Sequence, residues 1–183
     1  MMKSTYERLE QMEKKISNDA FKHPKGIGSD IPHFVLDYPP EDELQVRLYV
    51  KNMLKRSKVN IAEVNLFDFL LSFFEEDEIE ELYEVAEDEG IRGLNDVIEP
   101  ILNEGKTMIE QFQTQTEDAD IIFITGVGTA HPFLRSSQLL KAVASKGLRK
   151  PVVLFYPGEF TGLRLKLFGI LDYEDDYQLS RIS

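Results

Sequence analysis

The chain has 183 residues, enough for one domain of ordinary size, and 42% of them are hydrophobic, so a normal core can form. Its 33 acidic residues outnumber 21 Lys and Arg, and the net charge of −12 argues against strong direct binding to nucleic acid or anionic lipid. There is no Cys, which excludes disulfides, thiolate metal sites and a cysteine nucleophile. No apolar run approaches the roughly 20 residues of a membrane span, and residues 1–16 lack an apolar signal core, so we expect a cytoplasmic protein with no membrane association.

The first third of the chain reads as helix, strand, helix, strand. An amphipathic helix is predicted at about residues 5–17, and the loop that follows it contains two Gly and two Pro. A short apolar strand at His33–Asp37 ends before two prolines, and a helix opens at Glu41 and continues to about Ser57. The apolar run Val59–Leu66 predicts a second strand.

The middle of the chain is helical by pattern. Phe67–Phe74 predicts a compact apolar helix leading into an acidic one that Gly90 stops. Apolar residues then keep a helical period through Pro100, which predicts either a kink or two helices meeting near Gly105.

The last third returns to strands. The segments Asp120–Thr125 and Pro151–Tyr156 are almost wholly apolar, as is typical of strands buried on both faces, and we expect Ile122 and Val153 to be fully buried. A helix is predicted between them, ended by Gly147. Two final strands are predicted at Leu163–Leu171 and Tyr177–Ile182, and the last of these is a candidate for a sheet edge.

Alternation of strands and helices with buried apolar runs predicts one α/β domain over residues 1–183. We expect a mostly parallel sheet with helices on both faces, Rossmann-like in type but without a phosphate loop. Ligands of such folds bind beyond the carboxyl ends of the strands. The loops expected there are residues 37–41, 126–132 and 157–162.

The chemistry of these loops does not favour a cofactor. The first reads DYPPEDE and has two prolines and four carboxylates where a nucleotide-binding sheet carries a glycine-rich loop with Lys, so a phosphate cradle is excluded there. The carboxylates of Asp37, Glu41, Asp42 and Glu43 are a weak Mg²⁺ or Ca²⁺ candidate, because acids also suit a helix N-terminus. We therefore expect no cofactor and no metal.

The second loop, GVGTAHP, has Gly126 and Gly128 but His131 in place of a third glycine, and a tight turn explains it better than a dinucleotide site. His131 has no evident nucleophile beside it, and no GxSxG elbow surrounds Ser136 and Ser137. No catalytic residue is assigned. A hydrolase or nucleotide-binding enzyme that uses the GVG, RSS and YPG loops stays open as the alternative function.

The acidic run Glu75–Glu89 contains ten acids among fifteen residues and no Lys or Arg. Ile79, Leu82, Tyr83 and Ala86 lie on one side of it at helical spacing, so a packed helix with a solvated acidic face accounts for the pattern. An acidic docking surface for a basic partner is the second interpretation.

Several segments together resemble those of the BrxB family of the BREX (bacteriophage exclusion) defence system, and the resemblance extends from about residue 5 to the last residue. The segments that carry it are DYPPEDEL at Asp37–Leu44, NLFDFLL at Asn65–Leu71, TGVG at Thr125–Gly128, PFLRSSQLL at Pro132–Leu140, PVVLFYPGEFTG at Pro151–Gly162, LRLKLFG at Leu163–Gly169 and the closing Tyr177–Ile182. Ser137 departs from the His expected in an RSH segment, which weakens acid–base chemistry at that position. The ending YQLSRI departs from the common YYRAF-like one.

The resemblance implies a small cytoplasmic component of a phage-resistance system without an established catalytic activity, working with other BREX proteins. An alkaline-phosphatase-like PglZ protein is the favoured partner, and we expect an adaptor that binds it. Aromatic and guanidinium groups, which interface hot spots favour, are predicted at the strand-end loops and their flanks. The candidate partner-binding residues are Tyr38, Pro39, His131, Phe133, Arg135, Phe160 and Arg164.

Overall fold

The computed structural model of the chain describes residues 2–22, 32–171 and 179–183, without the side chains of residues 105 and 106. The helices in this part of the chain are α1 (Thr5–Ile16), α2 (Asp19–Lys22), α3 (Glu43–Arg56), α4 (Leu66–Leu71), α5 (Glu76–Asn103), α6 (Gly105–Thr116), α7 (Val127–Ala130) and α8 (Ser136–Ser145), with a 3-10 turn at Pro40–Asp42. The strands are β1 (His33–Tyr38), β2 (Ile61–Asn65), β3 (Ile121–Thr125), β4 (Val152–Phe160), β5 (Leu165–Leu167) and β6 (Ser180–Arg181).

Five strands form a parallel sheet in the order β2-β3-β4-β1-β6, and β5 pairs antiparallel with the carboxyl end of β4. In the register of the sheet, Val152 of β4 stands between His33 of β1 and Ile122 of β3. The predicted α/β fold with a mostly parallel sheet is therefore confirmed.

Helices cover both faces of the sheet. Helices α1 and α3 pack with strand residues such as Phe123 and Val153 on one face. Helices α4 to α8 pack with Ile122 and Leu154 on the other face. Successive strand residues point to opposite faces, so a strand between two helical layers is apolar at every position. Ile122 and Val153 are fully buried, as predicted.

All four predicted central strands are present, but the final strands differ from the prediction. β4 continues to Phe160, through the predicted turn at Pro157 and Gly158, because β5 folds back to pair with it. The predicted strand 163–171 is reduced to the three residues of β5, since left-handed backbone at Phe168 and Gly169 turns the chain. β6 lies at the sheet edge, as predicted, and residues 172–178 lie outside the described residues.

The helical middle of the chain matches the predicted pattern. Gly90 ends the acidic helix, as predicted, because its φ of 64° and ψ of −154° are not helical, and a second helix begins at once as the second half of α5. α5 passes through Pro100, and a separate helix, α6, begins at Gly105, so the prediction of two helices meeting there is confirmed. No helix among residues 2–22, 32–171 and 179–183 has the length and apolar character needed to cross a membrane.

Candidate functional site at the carboxyl end of the sheet

A polar cleft of about 280 Å³ lies where β1, β2 and β3 end, beside the start of α3. This is the place that parallel α/β folds use for ligands. Tyr38, Val46 and Phe155 contribute to its wall. The polar side chains that line it, besides Tyr38, are Glu43, Arg47, Glu63, Asn65, Asp68, Thr125 and Thr129.

A chain of hydrogen bonds occupies the α3 side of the cleft. The Tyr38 hydroxyl donates to Glu43 at 2.6 Å, and Arg47 Nε donates to the other oxygen of the same carboxylate at 2.7 Å. Arg47 Nη2 also donates to the Thr129 hydroxyl at 3.3 Å. Burial, with the negative charge of Glu43 as a second cause, raises the pKa of Tyr38 far above its usual range, so the phenol stays protonated.

The other side of the cleft is occupied in the same way. Asn65 ends β2 and caps α4, since its side-chain oxygen accepts from the backbone N–H groups of Phe67 and Asp68. The Thr125 hydroxyl donates to Glu63 at 2.8 Å. The polar groups of the cleft are therefore engaged mainly with one another, which suits a structural role better than proton transfer.

Asp37, the first carboxylate of the DYPPEDE loop, is buried and bonded to two arginines. Arg8 of α1 donates to one of its oxygens at 2.8 Å, and Arg181 of β6 donates to the other at 3.1 Å. The backbone N–H of Phe160 donates to the same second oxygen at 2.9 Å. Asp42 accepts from Thr5, and Glu43 is bonded to Tyr38 and Arg47 as described above. Three acids of this loop, Asp37, Asp42 and Glu43, thus have separate partners, and the fourth, Glu41, is exposed. No group of three metal-ligating side chains occurs within the described ranges.

The seven predicted partner-binding residues divide by exposure. Pro39, Arg135 and Arg164 are exposed. Tyr38 and Phe160 are only 3% and 4% exposed, because each lies inside a strand, β1 or β4, and not in a loop. The prediction that placed these two in strand-end loops is wrong, and both aromatic rings belong to the core.

His131 and Phe133 are half-buried and face different surroundings. The His131 ring meets the Phe168 ring edge-on at 6.4 Å, and burial, with the charge of Arg135 as a second cause, lowers its pKa. Phe133 instead lines an apolar groove against α4 and α5. The seven residues therefore belong to more than one surface of the carboxyl end.

The GVG, RSS and YPG segments, on which the alternative enzymatic function depends, pack closely against neighbouring residues or pair with a strand. A side chain at Gly126 would meet the Asn65 oxygen at 2.5 Å, and one at Gly128 would meet the Phe168 ring at 3.0 Å, so both glycines permit close packing, as the tight-turn interpretation requires. Ser136 and Ser137 are buried. The predicted YPG loop is part of the β4–β5 hairpin.

The sequence interpretation missed most residues of the polar cleft. Glu43 and Arg47 have helical i,i+4 spacing, and Asn65 stands directly before an apolar helix as N-caps do. These local signals could have indicated an ion pair on one helix and a helix cap, but the sharing of one cleft by α3, β2 and β3 depends on the sheet order.

The fold and this cleft define a class, a doubly wound α/β protein whose strand ends, as far as they are described, are filled by interlocked side chains and not by a phosphate loop. The family model of the BREX protein BrxB matches residues 62–182. A BREX protein BrxB of Bacillus cereus (strain H3081.97) is 30% identical over 187 residues, covering 97% of this chain and 96% of that protein. The chain therefore belongs to the BrxB family of BREX phage-defence proteins, which confirms the resemblance of its motifs.

A second relative gives the same result. A BREX protein BrxB of Escherichia coli O9:H4 (strain HS) is 30% identical over 166 residues, covering 86% of this chain and 81% of that protein. No solved structure matches the chain significantly.

Proposed function

We propose that this chain is a non-catalytic, cytoplasmic adaptor of a BREX system that binds other BREX proteins, with the PglZ-like protein as its main partner. The observation that carries the proposal is the state of the strand-end side chains. Tyr38, Glu43 and Arg47 are bonded to one another, and Asp37 is bonded to two arginines. Side chains that are bonded to one another in this way stabilise the fold and are not available for catalysis. The surface around them is therefore better suited to contact with another protein.

The exposed members of the predicted set are the contact groups we favour. Arg135 precedes α8, Arg164 lies in the β4–β5 turn, and Pro39 follows β1, and all three are exposed. Arginine is enriched among the residues that contribute most to protein interfaces, because its planar group makes several hydrogen bonds and stacks on aromatic rings. His131 and Phe133, which are half-buried, lie a few residues before Arg135 in the sequence.

A pull-down of the PglZ-like protein tests the proposal. The variant Arg135→Ala with Arg164→Ala removes two exposed charges without touching the core, whereas Phe160→Ala would cut into it. The matched control is Lys51→Ala with Lys55→Ala, two exposed charges on α3. We expect the first variant to lose at least about 90% of bound partner, an affinity loss of about tenfold or more, and the control to bind normally. Normal binding by both variants would contradict the choice of surface, and no binding by the unaltered chain would contradict the partner.

The alternative function is a hydrolase or nucleotide-binding enzyme. It predicts a clear thermal stabilisation of the purified chain by ATP, GTP, NAD or a divalent cation, and turnover that depends on Asp37 or His131. We expect neither, because Asp37 is neutralised by Arg8 and Arg181. Strong binding to nucleic acid is tested by a gel shift at low and at physiological salt, and we expect no strong binding.

A further inference from the structure

An apolar groove of about 130 Å³ lies between α4 and the two halves of α5. Its lining consists of apolar and aromatic side chains, which include Leu94 and Ile98 of the second half of α5. The other main contributors are Phe67, Leu71, Phe74, Leu82, Tyr83 and Phe133.

The groove is open to solvent among the described residues. Tyr83 is 71% exposed, and Phe67, Phe74, Leu82 and Phe133 are only partly buried, although all but Tyr83 pack at the edge of the core. Ligand pockets for small molecules usually enclose about 300–1,000 Å³. A groove of this size instead suits the apolar side chains of a protein segment.

The first half of α5 gives the groove a strongly negative border. All ten acids of residues 75–89 are exposed, and no Lys or Arg occurs among those residues. With 3.6 residues per turn, Glu76, Glu80 and Glu87 lie about a quarter turn from the centre of the apolar stripe formed by Ile79, Leu82, Tyr83 and Ala86. These three acids, the groove rim, border the apolar floor. The acids on the opposite side of the helix are Glu81, Glu84 and Asp88.

We propose that this groove binds a basic amphipathic helix of a protein partner. Apolar side chains of that helix enter between α4 and α5, and its Lys and Arg side chains pair with the rim, as in other helix-in-groove recognition. The sign of the charge excludes nucleic acid and anionic membrane as occupants, because both would be repelled by ten carboxylates. The proposal rests on the adaptor function and deepens it by naming a second contact surface and its chemistry, and Phe133 of the predicted partner-binding set lines this groove.

A defined probe tests the groove without any BREX protein. The probe is a fluorescently labelled 18-residue peptide of Leu and Lys, with Leu at helical i, i+3, i+4 spacing, titrated with the full chain and followed by anisotropy. A peptide with the same composition in scrambled order controls for charge alone. We expect the amphipathic peptide to bind at least about tenfold more tightly than the scrambled one, with an affinity that falls steeply as salt rises.

Two matched pairs of variants locate the binding. Glu76→Gln, Glu80→Gln and Glu87→Gln together neutralise the rim, and Glu81→Gln, Glu84→Gln and Asp88→Asn neutralise the same number of charges on the opposite side. We expect the rim variant to weaken binding about tenfold and the opposite one less than about threefold.

The second pair of variants tests the apolar contact. Tyr83→Ser removes an exposed groove residue, and Ile91→Ser removes an apolar side chain that is 60% exposed outside the groove. We expect only Tyr83→Ser to weaken binding, by about tenfold.

The proposal is overturned if the two charge variants weaken peptide binding equally, because the peptide is then attracted by the net charge of the chain and not by the rim. It is overturned as well if the chain does not bind the amphipathic peptide. It is also overturned if sedimentation shows that the unaltered chain dimerises and Tyr83→Ser abolishes the dimer, because a second copy then occupies the groove. A failure of peptide binding leaves the pull-down with Arg135 and Arg164 unaffected, so the two proposals fail separately.

Discussion

Asp37 shows how one side chain unites distant parts of the chain. Its carboxylate is 11% exposed and lies between Arg8, near the start of the sequence, and Arg181, near its end. Arg8 also donates to the Asp37 carbonyl and, at 3.3 Å, to the Ser183 carbonyl. A buried carboxylate with two guanidinium partners and a backbone N–H is fully satisfied, and the removal of its charge leaves the arginines without compensation.

We therefore predict that Asp37→Asn lowers the free energy of unfolding by about 2–4 kcal/mol, below the full range for buried pairs because Arg181 is half exposed. The control is Asp96→Asn, an exposed position on α5, which we expect to change stability by less than about 0.5 kcal/mol. Urea denaturation of both variants measures the difference. Equal stabilities for the two would show that the arginine pairs contribute nothing.

His33 predicts how stability depends on pH. It is fully buried in β1, and burial lowers its pKa from 6.5 to about 4. Below about pH 6.5 the unfolded chain takes up a proton at His33, whereas the folded chain keeps this side chain neutral. The contribution of His33 to the free energy of unfolding is therefore fully present above pH 6.5 and is lost as the pH falls toward 4. The loss reaches about 3 kcal/mol at 1.36 kcal/mol for each pKa unit.

The measurement is the unfolding free energy at several pH values between 4 and 7.5, for the unaltered chain and for His33→Gln. The variant should be less stable at pH 7.5 but should lose less on acidification. His131 titrates in both proteins, so the difference between the two curves isolates His33. Parallel curves would contradict the assignment.

At the scale of elements, α5 is the helix whose shape matters most. Gly90 has φ 64° and ψ −154°, a conformation that is essentially restricted to glycine, and it divides α5 into an acidic first half and a second half with Leu94 and Ile98 facing the groove. A Cβ atom at Gly90 would meet no atom of the described residues beyond its chain neighbours within 4 Å, so the backbone conformation, and not crowding, requires a glycine.

We predict that Gly90→Ala costs about 1–3 kcal/mol or straightens α5, and that in either case peptide binding in the groove weakens at least about tenfold. The control is Glu89→Ala, the exposed helical neighbour, which should leave stability within about 0.5 kcal/mol. Urea denaturation and the anisotropy titration measure the two effects. A Gly90→Ala protein with unchanged stability and unchanged binding would show that the break in α5 has no role.

At the scale of the whole molecule, the first and last described elements share one core layer. Ile182 is 2% exposed and belongs to the same hydrophobic cluster as Leu9 and Met12 of α1, and Lys15 of α1 donates to the Ile182 carbonyl. α1 therefore depends on the segment after β6 for part of its buried contact.

We predict that Ile182→Ala lowers the unfolding free energy by about 2–4 kcal/mol, because it leaves a cavity under α1. Ile170→Ala, at a position that is 79% exposed, should change it by less than about 0.5 kcal/mol. Thermal and urea unfolding give the comparison, and hydrogen exchange should show faster exchange in α1 of the first variant only. Slow exchange in α1 of Ile182→Ala would contradict the dependence of α1 on this segment.

The sequence by itself determined the four central strands and most helices, because their signals are local. Ile121–Thr125 is apolar at almost every position, which only a strand covered on both faces requires, and the capped, periodic α1 is recognisable from a few neighbouring residues. The family followed from the order of several motifs along the chain.

The tertiary structure decided the surroundings of the candidate residues. Tyr38 and Phe160 look like loop aromatics in the sequence, but strand pairing with β5 and the packing of α3 bury them. Asp37 meets Arg8 and Arg181 only because β1 lies between β4 and β6 while α1 covers that face. Such contacts join residues far apart in the chain, so no local pattern encodes them, and only the sheet order and the packing of helices on it bring these residues together.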